Sequence, residues 1–141
     1  MYNIRPMWEV QSPKMATNVL TRHGQYQSLY SSSKVISFHS PSKWEVHFEE
    51  TKRSNRLMVV YFTASWCGPC RLMEPVINNF SNQYTSVEFI KIDVDELMGV
   101  AEAFVVRAMP TFLLIKRGDV LDRVVGAKKE DLQMKIEKHR I

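Results

Sequence analysis

The run Leu57-Met58-Val59-Val60-Tyr61-Phe62, continued by Thr63, limits the fold of this chain more than any other stretch. A strand with one wet face alternates polar and apolar residues, whereas an unbroken apolar and β-branched run marks a strand covered on both faces. Such a strand needs helices packed above and below it, hence a central sheet in an α/β layering. Six apolar residues also fall far short of the ~20 that span a membrane as a helix.

The flanking sequence supplies the layers. Residues 35–38 read as a short strand. Ser42-Lys43-Trp44-Glu45 fits a capping box, with Ser42 as cap and Glu45 reaching back. It opens a helix to about residue 55 with Trp44 and Phe48 on one face. A second helix is expected over 67–83, with Leu72, Val76 and Phe80 at four-residue spacing and a kink at Pro75. Residues 87–94 form a further strand and 96–104 a short helix. Strands at 111–116 and 120–125 are joined by the turn Arg117-Gly118-Asp119. The last helix covers 128–139, with Leu132, Ile136 and Ile141 on its apolar side. The order β-α-β-α-β-α-β-β-α specifies a single α/β domain over residues 34–141, a mixed β-sheet flanked by helices on both faces.

At 141 residues with 45% apolar and 24% charged residues, the chain is too apolar to be wholly disordered. Residues 1–33 stand apart: scattered polar residues, the run Ser31-Ser32-Ser33 and no sustained periodicity. They read as an extension, mostly disordered. Its basic, serine-bearing content matches an organelle transit peptide loosely, and a plain cytosolic tail equally well. The net charge of +4 is concentrated there. Residues 1–34 carry Arg5, Lys14, Arg22 and Lys34 against Glu9, while residues 35–141 hold 15 basic and 14 acidic groups. The globular part therefore has no basic stripe for nucleic acid. No apolar stretch near the start suits a secretory signal or membrane anchor. The expectation is a cytoplasmic monomer, with mitochondrion or plastid as the alternative.

The chemistry lies in Trp66-Cys67-Gly68-Pro69-Cys70, where the buried strand turns into a helix. A helix N-terminus exposes unpaired N–H groups and about half a positive charge, which stabilises a thiolate on Cys67. Cys70, one turn on, faces the same side within disulfide reach. Gly68 permits the tight backbone, and Pro69 occupies the first turn without losing a hydrogen bond. Half a zinc site is the competing reading of C-x-x-C, but a second pair of ligands is missing, and His23, His39, His47 and His139 lack ligand spacing. No metal is expected, and no cofactor beyond the redox-active pair itself.

With this motif the sequence resembles the thioredoxins. The resemblance covers nearly all of residues 35–141. It rests on Phe62-Thr63-Ala64-Ser65-Trp66-Cys67-Gly68-Pro69-Cys70, Pro75, Lys91-Ile92-Asp93-Val94-Asp95-Glu96-Leu97, Ala108-Met109-Pro110-Thr111-Phe112 and Val125-Gly126-Ala127. The wording is most similar to plant thioredoxins of the h type that bear an N-terminal extension. The resemblance implies a thioredoxin-like fold and a protein-disulfide reductase. Cys67 would be the nucleophile and Cys70 the resolving thiol. Trp66 would flank them, Met109-Pro110 would present a cis peptide to an extended target, and Gly126 would keep the far rim low. It implies disulfide-bearing target proteins, an NADPH-dependent thioredoxin reductase as electron donor, and a part in redox homeostasis. Thioredoxin is itself the standard example of a lowered cysteine pKa, ~7 against ~8.5 for a free thiol. The thiolate gain at pH 7 is ~16-fold, of which lost nucleophilicity takes back most, leaving about threefold. Docking and the proximity of Cys70 must supply the rest.

One departure stands out. Thioredoxins usually carry a buried aspartate six residues before the nucleophile, where this chain has Tyr61, and no Asp or Glu occurs from Thr51 to Met73. In the family that acid and a lysine matching Lys91 are thought to move the proton of the resolving cysteine. Tyrosine, with an ordinary pKa of ~10, is a poor base at neutral pH. Slower release of targets is expected, which Tyr61→Asp would reverse. The plainer reading is that Tyr61 fills core volume, its hydroxyl bonded to Lys91 or water. Three functions follow: a disulfide reductase, an isomerase or oxidase of opposite poise, or a non-catalytic binding or chaperone module to which Tyr61 lends weight. Gly-Pro between the cysteines resembles the reducing members.

Overall fold

The computed structural model describes residues 32–141 and, before them, two short strands. The chain divides between Ser33 and Lys34 into two units. In the first, β1 (Asn18–Leu20) and β2 (Tyr26–Ser28) pair antiparallel, Asn18 opposite Ser28. Apart from these strands and residues 32–33, the disorder expected over 1–33 concerns residues outside the described ones.

The second unit follows the expected order: β3 (Ile36–Phe38), α1 (Pro41–Thr51), β4 (Met58–Thr63), α2 (Gly68–Gln83), β5 (Glu88–Asp93), α3 (Met98–Ala103), β6 (Thr111–Lys116), β7 (Asp119–Val125) and α4 (Lys129–His139). The strands lie in the order β3-β5-β4-β6-β7. β3, β5 and β4 are parallel, β6 runs against them, and β7, antiparallel to β6, takes their direction again. All six residues of β4 are buried, which is why the run from Leu57 to Thr63 has no polar break. Trp44 of α1, Met73, Ile77 and Phe80 of α2, and Leu132 and Ile136 of α4 close the core.

Local details depart from the sequence reading for identifiable reasons. α1 is capped by Ser40, not Ser42: its hydroxyl accepts the Lys43 N–H at 3.4 Å, and Pro41 is the first helical residue. A residue before proline is driven to extended backbone, which a cap requires, and Ser40 has φ −123° and ψ 128°. α1 stops at Thr51, four residues early. On α2 the inward row is Cys70, Met73, Ile77 and Phe80, while Leu72 is exposed. Two interleaved apolar rows exist there, and the one continuous with the buried Cys70 faces the core. The β6–β7 turn holds two residues, not three: Lys116 pairs with Asp119, and Arg117 and Gly118 take φ +55° and +86°. Two positive φ values are what a type I′ hairpin demands. Ile141 lies beyond the end of α4 and is exposed, so the apolar side of the helix ends at Ile136.

Candidate active site

From the end of β4, Ala64-Ser65-Trp66 leads to Cys67, the N-cap of α2, with extended backbone at φ −88° and ψ 109°. Its Sγ accepts the backbone N–H of Cys70 at 3.2 Å, the bond a capping side chain makes. Pro69 sits in the first turn, where its missing N–H costs nothing. Cys67 and Cys70 are joined in a disulfide, their Cα atoms 5.3 Å apart. Both are buried, whereas Trp66, Gly68 and Pro69 beside them are exposed. When the bond opens, the Cys67 sulfur faces the free N–H groups and positive end of a 16-residue helix, which favours its anion.

The sheet register brings the other expected residues to the same end. Phe62 of β4 lies opposite Thr111, so Met109-Pro110, a cis peptide, comes alongside the end of β4. Val125 of β7 also lies opposite Thr111, and the Gly126 N–H donates to the Pro110 carbonyl at 2.8 Å. Gly126 has φ +103°, and a Cβ there would meet nothing closer than 3.7 Å. Backbone conformation, not crowding, calls for glycine. The indole N–H of Trp66 donates to Asp95 at 2.9 Å. Asp95 follows β5, whose Asp93 pairs with Thr63, so the same register sets this bond. Asp95 stood inside the quoted Lys91–Leu97 motif, but its partner could not be read from one dimension.

Tyr61 and Lys91 lie beneath the disulfide. The Tyr61 ring is buried and stacks on Phe112 at 5.0 Å and 9°. Its hydroxyl donates to the Cys70 carbonyl at 2.9 Å, and not to Lys91 as the sequence reading had it. Burial pushes this phenol well above its ordinary value; a hydrogen bond with Thr63 opposes the rise and the Glu74 carboxylate adds to it, so the group stays neutral. Lys91, the register partner of Tyr61, donates to Glu74 Oε1 of α2 at 3.0 Å. Glu74 was missed because the acid-free stretch ends one residue before it.

Among the described residues no cluster of ligands suits a metal ion. The described histidines instead face single carboxylates: His39 meets Glu96, His47 meets Glu88 and His139 meets Asp122. His47 is half-buried against Phe38. No helix among the described residues is long and apolar enough to cross a membrane.

Comparison with known proteins agrees with this geometry. The Thioredoxin family model matches residues 36–138. Thioredoxin H2 of Arabidopsis thaliana is 52% identical over 108 residues, covering 77% of this chain and 81% of its own length. Thioredoxin H7 of the same plant is 41% identical over 129 residues, covering 90% of this chain and all of its own. The crystal structure of thioredoxin NaTrxh from Nicotiana alata superimposes with a TM-score of 0.78 at 57% identity, over 82% of this chain and 100% of that one. A helix-capping disulfide between Cys67 and Cys70, carried on this sheet, therefore belongs with these relatives: the chain is a member of the thioredoxin family and a protein-disulfide oxidoreductase.

Proposed function

We propose that the chain reduces disulfides of target proteins, with Cys67 as nucleophile and Cys70 as resolving thiol. The observation that carries this division is the cap: the Cys67 sulfur lies at the positive end of α2, while Cys70 lies one turn inside it. The Cys67 thiolate attacks a target disulfide, forming a mixed disulfide and expelling one target thiolate. Cys70 then attacks the Cys67 sulfur, closing the pair and freeing the second target thiolate. Two electrons pass from the protein to the target.

Docking follows from the exposed edge around the pair. Trp66 is 65% exposed and tethered by Asp95, a fixed apolar surface beside the sulfurs. Gly68 and Pro69 add a flat rim without long side chains. Met109 offers its backbone next to Pro110, and Gly126 leaves the opposite side open for an extended segment. This arrangement needs no metal or organic cofactor.

The electron donor in this reading is an NADPH-dependent thioredoxin reductase, and the setting is cytoplasmic redox homeostasis in a monomer. Residues 1–33 serve as an extension apart from the thioredoxin domain at 34–141. Insulin-disulfide reduction, driven first by a dithiol and then by NADPH with a plant thioredoxin reductase, tests activity and donor separately. Cys67→Ser should abolish turnover, and Cys70→Ser should accumulate mixed disulfide. A protein that binds targets but never turns over would instead be a binding module. Imaging the full chain with and without residues 1–33 tests the location, a mitochondrial or plastid signal being the contrary result.

A further inference from the structure

Release of a target requires the Cys70 thiol to lose its proton, and Cys70 is only 2% exposed, so bulk water is a poor recipient. The adjacent hydroxyl of Tyr61 is no better: it is held neutral, and its O–H is already given to the Cys70 carbonyl. The strand beneath the pair carries no acid at all. Going along α2, the first carboxylate is Glu74, four residues after Cys70. Residues at i and i+4 share a helix face, and helical side chains lean toward the N-terminus, over the turn that holds Cys70.

The sheet fixes this carboxylate from the other side. Lys91 donates to Glu74 Oε1 at 3.0 Å, and Lys91 stands opposite Tyr61 in the β4–β5 register. Directly paired residues on adjacent strands share a face, so the ammonium, the phenol and the carboxylate gather on the Cys70 side of the sheet. Both partners of the ion pair are 35% exposed, where such a pair adds little to stability. Its consequence is positional: the carboxylate is fixed on the helix face it shares with the resolving cysteine, one turn further along α2, yet stays in touch with solvent.

We propose that Glu74 accepts the proton of Cys70 during target release, so that the carboxylate for this step comes from α2 instead of β4. The proposal rests on the disulfide-reductase reading. Glu74 takes the thiol proton; the Cys70 sulfur bonds to the Cys67 sulfur; the bond from Cys67 to the target sulfur breaks. The target leaves as a thiolate and takes a proton from water, and Glu74 returns its own proton to solvent through its exposed edge. The cysteine pair is oxidised by two electrons and the target reduced by two.

The test is a single turnover of the reduced full-length protein with a fluorescent disulfide peptide, acid-quenched so that mixed disulfide and freed peptide are counted separately. Glu74→Gln preserves size and the Lys91 contact while removing the base. Attack by Cys67 should be unchanged, and release should slow by about tenfold or more at pH 7. Release should also become dependent on hydroxide, rising about tenfold per pH unit, where the wild type is flatter; Tyr61, Thr63 and Lys91 are unchanged throughout. Glu74→Asp keeps a carboxylate and should keep the flatter profile. Unchanged release in Glu74→Gln, an equal slowing of attack and release, or a Glu74→Asp profile as steep as that of Glu74→Gln would overturn the proposal. A wild type that frees no peptide thiol would defeat the reductase reading instead.

Discussion

Replacing Tyr61 by aspartate, the residue most thioredoxins have there, should destabilise this protein strongly. The ring is buried and stacked on Phe112 at 5.0 Å, and losing a buried aromatic to a small side chain costs about 3–5 kcal/mol. The hydroxyl bond to the Cys70 carbonyl disappears too, worth about 0.5–1.5 kcal/mol. The new carboxyl is buried near Glu74, and Lys91 is already engaged. Burial and a like charge both raise its pKa above the unfolded value of ~3.9. Below that value both states are protonated and no electrostatic penalty arises. Above it the penalty grows by about 1.4 kcal/mol per pH unit until the folded pKa is passed. A rise of about two units would therefore bring the total to about 6–9 kcal/mol at pH 7, comparable with the whole stability of an ordinary domain. Urea unfolding of the oxidised variant at pH 4 and pH 7.5 reads both parts. A loss under about 2 kcal/mol at both pH values, or a smaller loss at the higher pH, would refute the reasoning. The same variant separates two accounts of release. A faster rate at pH 7 would mean that Tyr61 costs the protein a base, whereas an unchanged rate is the outcome if Glu74 already serves.

Other perturbations read other parts of the structure. Burial works against the charged form of Asp122, but the His139 ring, the Arg123 backbone N–H and the Lys135 ammonium outweigh it and lower its pKa. Its contribution is thus present above the unfolded pKa and lost as pH falls through the folded one, so Asp122→Asn should cost about 1–2 kcal/mol at pH 7 and nothing near pH 2 in thermal melts. Gly126→Ala forces a side chain onto φ +103°, which should cost about 1–2 kcal/mol and raise KM for a disulfide peptide more than it lowers kcat. Asp95→Ala frees the Trp66 indole, and its fluorescence anisotropy should fall while KM rises a few-fold; an unmoved anisotropy would show that Asp95 does not hold the ring.

What the sequence revealed was whatever depends on neighbours along the chain. The covered strand, the cysteine pair at a helix start and the hairpin glycine are each dictated within a few residues, and the structure has all three. Where two local signals competed, the sequence reading took the wrong one. Ser40 and Ser42 both resemble caps, and the fixed backbone of Pro41 decides between them. Leu72 and Met73 both start four-residue rows, and only contact with the sheet chooses Met73. The contacts that escaped entirely are cross-chain ones. Glu74 with Lys91 and Trp66 with Asp95 are 17 and 29 residues apart, and each forms only once β4 and β5 are in register.

The mixed direction of the sheet is what makes a single site out of these pieces. β4 and β5 are parallel, so their C-terminal ends deliver Cys67 and Asp95 to the same edge. β6 runs the other way, so it begins where β4 finishes, and Pro110 lies beside the turn that leads to the cysteines. β7 reverses again and ends at that edge, bringing Gly126 to the Pro110 carbonyl. Had β6 been parallel to β4, a strand of six residues would have carried Pro110 about 20 Å away, to the far end of the sheet. No adjustment of loops of this length would return it. The cysteines acquire a helix end from their local sequence, but the surface that can present a target to them exists because one strand, β6, runs against the other four.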